Sequence, residues 1–320
     1  MLGLEKRRLS NSGPEVTFFG FGALEIGRNW GLGKGEEVER PAAEAAGQVL
    51  NAVLDMGINL IDTSPLYGAT KSETLLGKAL KGIPRDSYYL ATKLGRYAGG
   101  VSDFSAKRIV ESVEESLRRL GMDYVDILQC HDIDYVPLDP IVNEALPTMR
   151  HLQEQGKTRF VGITGFPLKV YRYVLDRTEV DTVLSFCHYT LQDTSFTTLV
   201  PYLNEKGVGI INASPLGMGL LTERGPNHGH PATDEIKAAC AEAVTYCRER
   251  GEDIAKLAVQ FGLANPQFPT TLVGTTRPEH LQENVAWLES DLDEDLLAGV
   301  EKILAPVRDQ TWSRGLPENN

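Results

Sequence analysis

At 320 residues, 42% of them hydrophobic, the chain can bury a large core, either as one barrel or as two ordinary domains. Its formal charge of −12, from 32 Lys plus Arg against 44 Asp plus Glu, argues against a polyanion such as nucleic acid as a partner. The basic opening segment MLGLEKRRLSNSG is not followed by an apolar run of signal-peptide length, and no stretch is long enough to span a bilayer, so a cytoplasmic protein without a membrane partner is expected.

The chain opens with a hairpin pattern, RRLSNSG then EVTFFG. Short β-rich apolar runs then alternate with longer segments of helical period. The strands are expected at 18–22, 58–62, 88–93, 124–131, 159–164, 181–186, 208–214 and 270–274. Helices are expected to start near Pro41, Ser72, Ser105, Asp139, Pro167, Thr197, Ile254 and Pro278. Eight strands, each followed by a helix, with no linker-like break in composition, predict a single (β/α)8 TIM barrel domain over 1–320. Two helical patterns, 233–250 and 291–303, fall outside the repeat and read as additions to the barrel.

An open doubly wound sheet would show the same alternation but would carry a G-x-G-x-x-G turn after its first strand. That turn is missing. The glycines of GRNWGLGKG at 27–35 do not make a phosphate loop either, because Arg28 and Gly35 occupy positions that need Gly and Ser or Thr. They suit a long loop over the barrel mouth, where Trp30 could cover a ligand or pack on the rim. Cys130, Cys187, Cys240 and Cys247 include no C-x-x-C pair and are expected to be reduced, packed thiols. His228 and His230, in GPNHGHP, lack neighbouring Cys or paired carboxylates, so no metal is expected.

Barrel enzymes place reacting groups at the C-terminal ends of strands. Here Asp62 ends the second strand, Tyr67 follows it in DTSPLYG, Lys93 ends the third and His131 the fourth. A phenol is a poor base at neutral pH and needs a nearby cation to favour phenolate. Lys93 can supply that charge, Asp62 can keep Lys93 ionised and oriented, and His131 can hydrogen-bond a substrate oxygen. Singly, each residue also fits an ordinary structural role as cap, rim residue, surface ion pair or satisfied histidine. Together, on three successive βα units, they point to reversible proton transfer at an oxygen.

These segments, GINLIDTSPLYG, LATK and the strand ending in CHD, resemble the aldo-keto reductase superfamily, whose tetrad is Asp, Tyr, Lys and His in this order. The resemblance continues in VGITGF, ASPLGMGLLT and LVGTTRPEHLQENV. Within the superfamily the chain is most similar to the plant-type L-galactose dehydrogenases, through LGRY, DFSA, YVDILQCHDI, LSFCHYTL and the late QTW. The resemblance implies a nicotinamide dinucleotide stretched across the barrel mouth. Gly22, Thr164 and the loop carrying Ser214, Leu216, Gly217 and Gly219 would contact it, with Gly274, Thr275, His280, Glu283 and Asn284 at its adenosine end. NADPH-preferring relatives carry Lys at the place of Gly274 and Arg at that of His280; both cations are absent, so NAD is expected over NADP, with Arg277 as the one substitute at hand.

Gly165, Phe186 and Ala213 replace residues that many members use to anchor the nicotinamide. The subgroup implies a sugar substrate, a free aldose oxidised at C1 to its lactone: L-galactose, or a close relative such as L-fucose or D-arabinose. Trp30, His188 and Trp312 are then candidates to meet the sugar, and the protein would be a monomer or small homo-oligomer. Two other functions stay open at this point, an NADPH-dependent aldehyde or ketone reductase and a non-enzymatic cofactor-binding subunit.

Overall fold

The computed structural model describes residues 3–27 and 43–320. Two short strands, β1 (Lys6–Arg8) and β2 (Glu15–Thr17), pair antiparallel as the expected hairpin. Eight more follow: β3 (Phe19–Gly22), β4 (Leu60–Asp62), β5 (Tyr89–Leu94), β6 (Val125–Cys130), β7 (Thr158–Gly165), β8 (Thr182–Phe186), β9 (Gly209–Ala213) and β10 (Thr270–Val273). Each pairs parallel with its sequence neighbours and β10 returns to β3, closing a (β/α)8 TIM barrel. All eight strand expectations are met within a few residues.

The helices follow from local signals. Ser105 caps Ala106–Leu120 by accepting from the Arg108 N–H, and Gly121 ends it in the left-handed conformation that glycine adopts without a Cβ penalty. The expected additions are the helices Asp234–Arg248 and Glu294–Leu304, capped by Thr233 and Asp293. They pack together in a second core with Cys240, Cys247, Phe166 and Trp312. Near Thr197 the expected helix is broken into a short turn, Ser195–Thr198, and a helix Val200–Glu205 that begins with Pro201 in its first turn. Pro41, Trp30 and the glycine-rich segment from Arg28 onward lie outside the described residues. All four cysteines are free and buried.

The hairpin closes one end of the barrel. Leu9 and Val16 join the inward side chains Leu60, Ala91, Ile127, Leu184, Ile211 and Leu272 in one apolar cluster. Asn59, at the foot of β4, accepts from the Thr17 N–H at 2.7 Å. Truncating such a buried leucine costs about 2–5 kcal/mol. With its foot filled by Leu9 and Val16, the barrel can take a ligand at the opposite end, where the strands finish. No helix among the described residues is long and apolar enough to cross a membrane.

Candidate active site

The register sets the site. Lys93 on β5 stands opposite Gln129 on β6, and Asp62 on β4 opposite Ala91 on β5, so Asp62, Lys93 and Gln129 come together inside the barrel top. The Lys93 ammonium donates to the Asp62 carboxylate and, at 2.9 Å, to the Thr63 carbonyl. Gln129 Nε2 donates to the other Asp62 oxygen at 3.0 Å. Burial disfavours charge on both partners, but the Asp62 carboxylate and the Tyr67 phenol leave the pKa of Lys93 above the ordinary value. With an ammonium and an amide aimed at its oxygens, Asp62 is the anion of the pair.

Tyr67 sits on a turn closed by its own N–H donating to the Ser64 carbonyl. The turn depends on Gly68, whose φ is +61°; a Cβ there would fall 1.5 Å from the Gly27 carbonyl oxygen. The Lys93 ammonium lies 4.8 Å from the centre of the Tyr67 ring, and the His131 ring meets it edge-on at 5.6 Å. The structure thus brings all four sequence-predicted tetrad residues to one place. Their electrostatics differ from the expectation in one respect. Burial pushes the Tyr67 phenol up to about 12, against the pull of Lys93 and reinforced by the carboxylates of Asp62 and Asp132. The resting residue is therefore the phenol, because burial disfavours the phenolate by more than Lys93 favours it.

His131 is held by a residue not singled out in the sequence. Ser64 Oγ accepts from the Leu66 N–H at 3.1 Å and is hydrogen-bonded to His131 Nδ1 at 2.9 Å. With the hydroxyl as donor in that pair, the proton of the neutral ring sits on Nε2. Burial, with the nearby cations Lys93, Arg314 and Arg96, pulls the imidazole down to about 3 despite Asp132, so the ring is neutral. Nε2–H is then a donor for a substrate oxygen.

The residues expected at the dinucleotide are distributed over β3, β7, β9 and β10. Thr164 Oγ1 accepts from the Asp132 N–H at 2.8 Å. After β9 the chain turns sharply through positive φ at Ser214, Gly217, Met218 and Gly219; the N–H groups of Ser214, Gly217 and Gly219 donate to the carbonyls of Leu272, Ser214 and Leu216, which fixes the loop's shape. His230 holds that loop: its Nδ1 accepts from the Ala232 N–H, so Nε2 donates to the Gly217 carbonyl at 3.1 Å. Among the described residues no group of three or more His, Cys, Asp or Glu is arranged to bind a metal.

After β10, a Cβ on Gly274 would stand 2.6 Å from the Gly22 carbonyl oxygen, so the two strand ends touch backbone to backbone. Leu216 is half-buried and packs on both helical cores. Thr275 and Asn284 are buried, while Gly274, His280 and Glu283 are exposed around the start of the helix Pro278–Trp287. A helix N-terminus, a loop of positive-φ residues and a glycine contact that leaves the rim bare together fit an extended dinucleotide.

Gly165, where many members of the superfamily have an asparagine, packs against Val170; a Cβ there would lie 2.9 Å from the valine methyl, so a larger residue needs that side chain to give way. His188 is buried, pairs with Asp193 at 2.9 Å and lies 4.5 Å from Phe166. Trp312 is 7% exposed and stacks on Phe166 at 4.8 Å. These two share an aromatic cluster beside the mouth, and Trp312 fastens the C-terminal tail to it. Two surface hollows, of about 430 and 500 Å³, have no tetrad residue in their walls; the site is defined by its chemistry and not by them.

A parallel barrel with this Asp, Tyr, Lys and His set at its open end defines a carbonyl–alcohol oxidoreductase of the aldo-keto reductase type. The model of the aldo/keto reductase family matches residues 19–305, and the chain belongs to that family; it is an oxidoreductase that uses a nicotinamide cofactor. It is 48% identical to the L-galactose dehydrogenase of Arabidopsis thaliana over 100% of both chains. It is 30% identical to the D-arabinose 1-dehydrogenase of Saccharomyces cerevisiae, over 87% of this chain and 90% of that one. Among solved structures it is similar to an aldo-keto reductase of Bacillus halodurans in its holo form, with TM-score 0.76 and 27% identity over 97% of this chain and 98% of that one.

Proposed function

We propose that this enzyme oxidises a free aldose in its ring form at C1, giving the lactone, with NAD⁺ as the acceptor. The observation that carries the reading is the tetrad, assembled within one family whose full-length relative at 48% identity is named for L-galactose. When bound, the nicotinamide accepts the hydride from C1. Tyr67, once its phenol proton has passed to water, takes the C1 hydroxyl proton as phenolate, so that aldose plus NAD⁺ become lactone, NADH and H⁺ and the phenol is restored. His131 Nε2–H donates to the same oxygen and fixes its direction, while Asp62 and Gln129 keep Lys93 charged and aimed at the phenol.

The preference for NAD⁺ rests on the rim after β10. Gly274 and His280 supply no fixed cation for a 2′-phosphate, and the backbone contact between Gly274 and Gly22 excludes a lysine side chain at that place without moving β3. A panel of free aldoses assayed with NAD⁺ and with NADP⁺ tests both parts. Oxidation of L-galactose, L-fucose or D-arabinose with a higher kcat/KM for NAD⁺ is expected. A higher kcat/KM with NADP⁺ would overturn the cofactor assignment alone; reduction of simple aldehydes by NADPH with no aldose oxidation would overturn the whole reading.

A further inference from the structure

Asp132 immediately follows His131 and is one of the few non-glycine residues with positive φ, at 49°. Two contacts hold it there. Its N–H is bound by Thr164 Oγ1, and its Oδ2 accepts from Arg314 NH2 at 2.6 Å. Arg314 is itself braced by the Tyr135 hydroxyl at 3.1 Å from Nε and by the Phe186 ring, 4.7 Å from the guanidinium carbon. The second carboxylate oxygen, Oδ1, is left without a hydrogen-bond donor among the described residues. It lies 3.9 Å from His131 Nε2, the atom expected to hold the reacting oxygen. Burial works most strongly against the charge of Asp132, but Arg314 together with His131, Arg96 and Lys93 outweighs it and holds the carboxyl below its ordinary range.

An ionised carboxylate is an acceptor only. Placed beside the donor that fixes the C1 oxygen, it calls for a hydroxyl on the adjacent carbon. We propose that Asp132 Oδ1 accepts a hydrogen bond from the hydroxyl next to the reacting carbon, with Arg314 as the positioning residue, and that this contact selects sugars over simple alcohols and aldehydes. The inference rests on the aldose reading above. A substrate lacking that hydroxyl would leave the carboxylate desolvated against carbon, the situation in which polar sites discriminate most strongly. The sequence shows only an Asp beside a His and an Arg 182 positions later; the fold makes them one device.

The test uses D-arabinose and 2-deoxy-D-ribose, which differ only at C2, each with NAD⁺. The intact enzyme is expected to favour D-arabinose by about 10- to 100-fold in kcat/KM, the size of one hydrogen bond to a charged group. In Asp132→Asn and Asp132→Ala the ratio falls towards one, most of the loss being on D-arabinose. Arg314→Met lowers the ratio partway and Arg314→Lys restores part of it, an ordering that a merely structural role would not give. Thermal unfolding and NADH binding, monitored by fluorescence, identify any variant that has failed to fold, and the remaining variants decide the point. An unchanged ratio in folded Asp132 variants refutes the subsite alone, whereas no turnover of any aldose by the intact enzyme refutes both the subsite and the aldose reading.

Discussion

The two sides of the barrel mouth work by different means. On the side of β4, β5 and β6, each functional atom is held by another side chain: Lys93 by Asp62, Asp62 by Gln129, His131 by Ser64. On the side of β9 and β10, the functional features are backbone: positive φ at Ser214, Gly217, Met218 and Gly219 and the contact between Gly22 and Gly274. Side-chain chemistry is specific to one reaction and fails when one partner is removed. Backbone cradles are shaped by loops and tolerate side-chain changes that spare their closely approached glycines.

The largest effect is expected at the phenol. Tyr67→Phe should lower kcat by about 10²- to 10⁴-fold, the usual contribution of a positioned acid or base, and leave NADH binding within about twofold by fluorescence titration. Normal turnover in this variant would remove Tyr67 from the chemistry. In the intact enzyme, burial holds the Tyr67 phenol up to about 12, so its base form grows with pH throughout the working range. The oxidation rate should climb from pH 7 to 10 without a plateau. It should show no break near 6.5, because the His131 imidazole is pulled down to about 3. The same shift acts on folding: below about 6.5 the unfolded chain binds a proton that folded His131 refuses, so stability falls as the pH drops from there towards 3. A rate profile with a step at 6.5 would mean that His131 titrates in the active enzyme.

Next in size is the buried pair. Lys93→Met leaves Asp62 as an uncompensated buried charge and should cost about 3–5 kcal/mol in urea unfolding, with part recovered in the Asp62→Asn/Lys93→Met double variant. Equal stability of the single and double variants would show that the pair is not coupled. Ser64→Ala removes the partner of His131 Nδ1 and frees the ring to change tautomer; kcat should fall about tenfold, with the ring's nitrogen NMR shifts moving to a tautomer mixture. The smallest effect is expected on the backbone side. His280→Arg adds a cation at the rim and should raise kcat/KM for NADP⁺ about five- to tenfold, while Gly274→Lys, blocked by the Gly22 carbonyl, should lower use of both cofactors.

That contrast also separates what could be read in the sequence from what could not. The barrel was legible because every βα unit repeats the same two periodicities, and the tetrad because its members end successive strands. Ser64, Gln129 and Arg314 were not, since each acts through a partner 67 to 182 positions away that only strand register or the returning tail brings near. His230 carried a signal, one of two histidines in a Pro/Gly-rich stretch, but its role depends on the Gly217 carbonyl, which composition cannot reveal. Trp312 and His188 are candidates for the sugar by residue type; that they share an aromatic cluster around Phe166 is visible only in the fold.

The chemistry at C1 can be followed most directly with isotope. D-Arabinose carrying deuterium at C1 should transfer it to the cofactor, giving deuterated NADH and an unlabelled lactone in equal amounts. Reduced cofactor without deuterium, with the label retained in the sugar, would contradict oxidation at C1 and with it the role assigned to Tyr67.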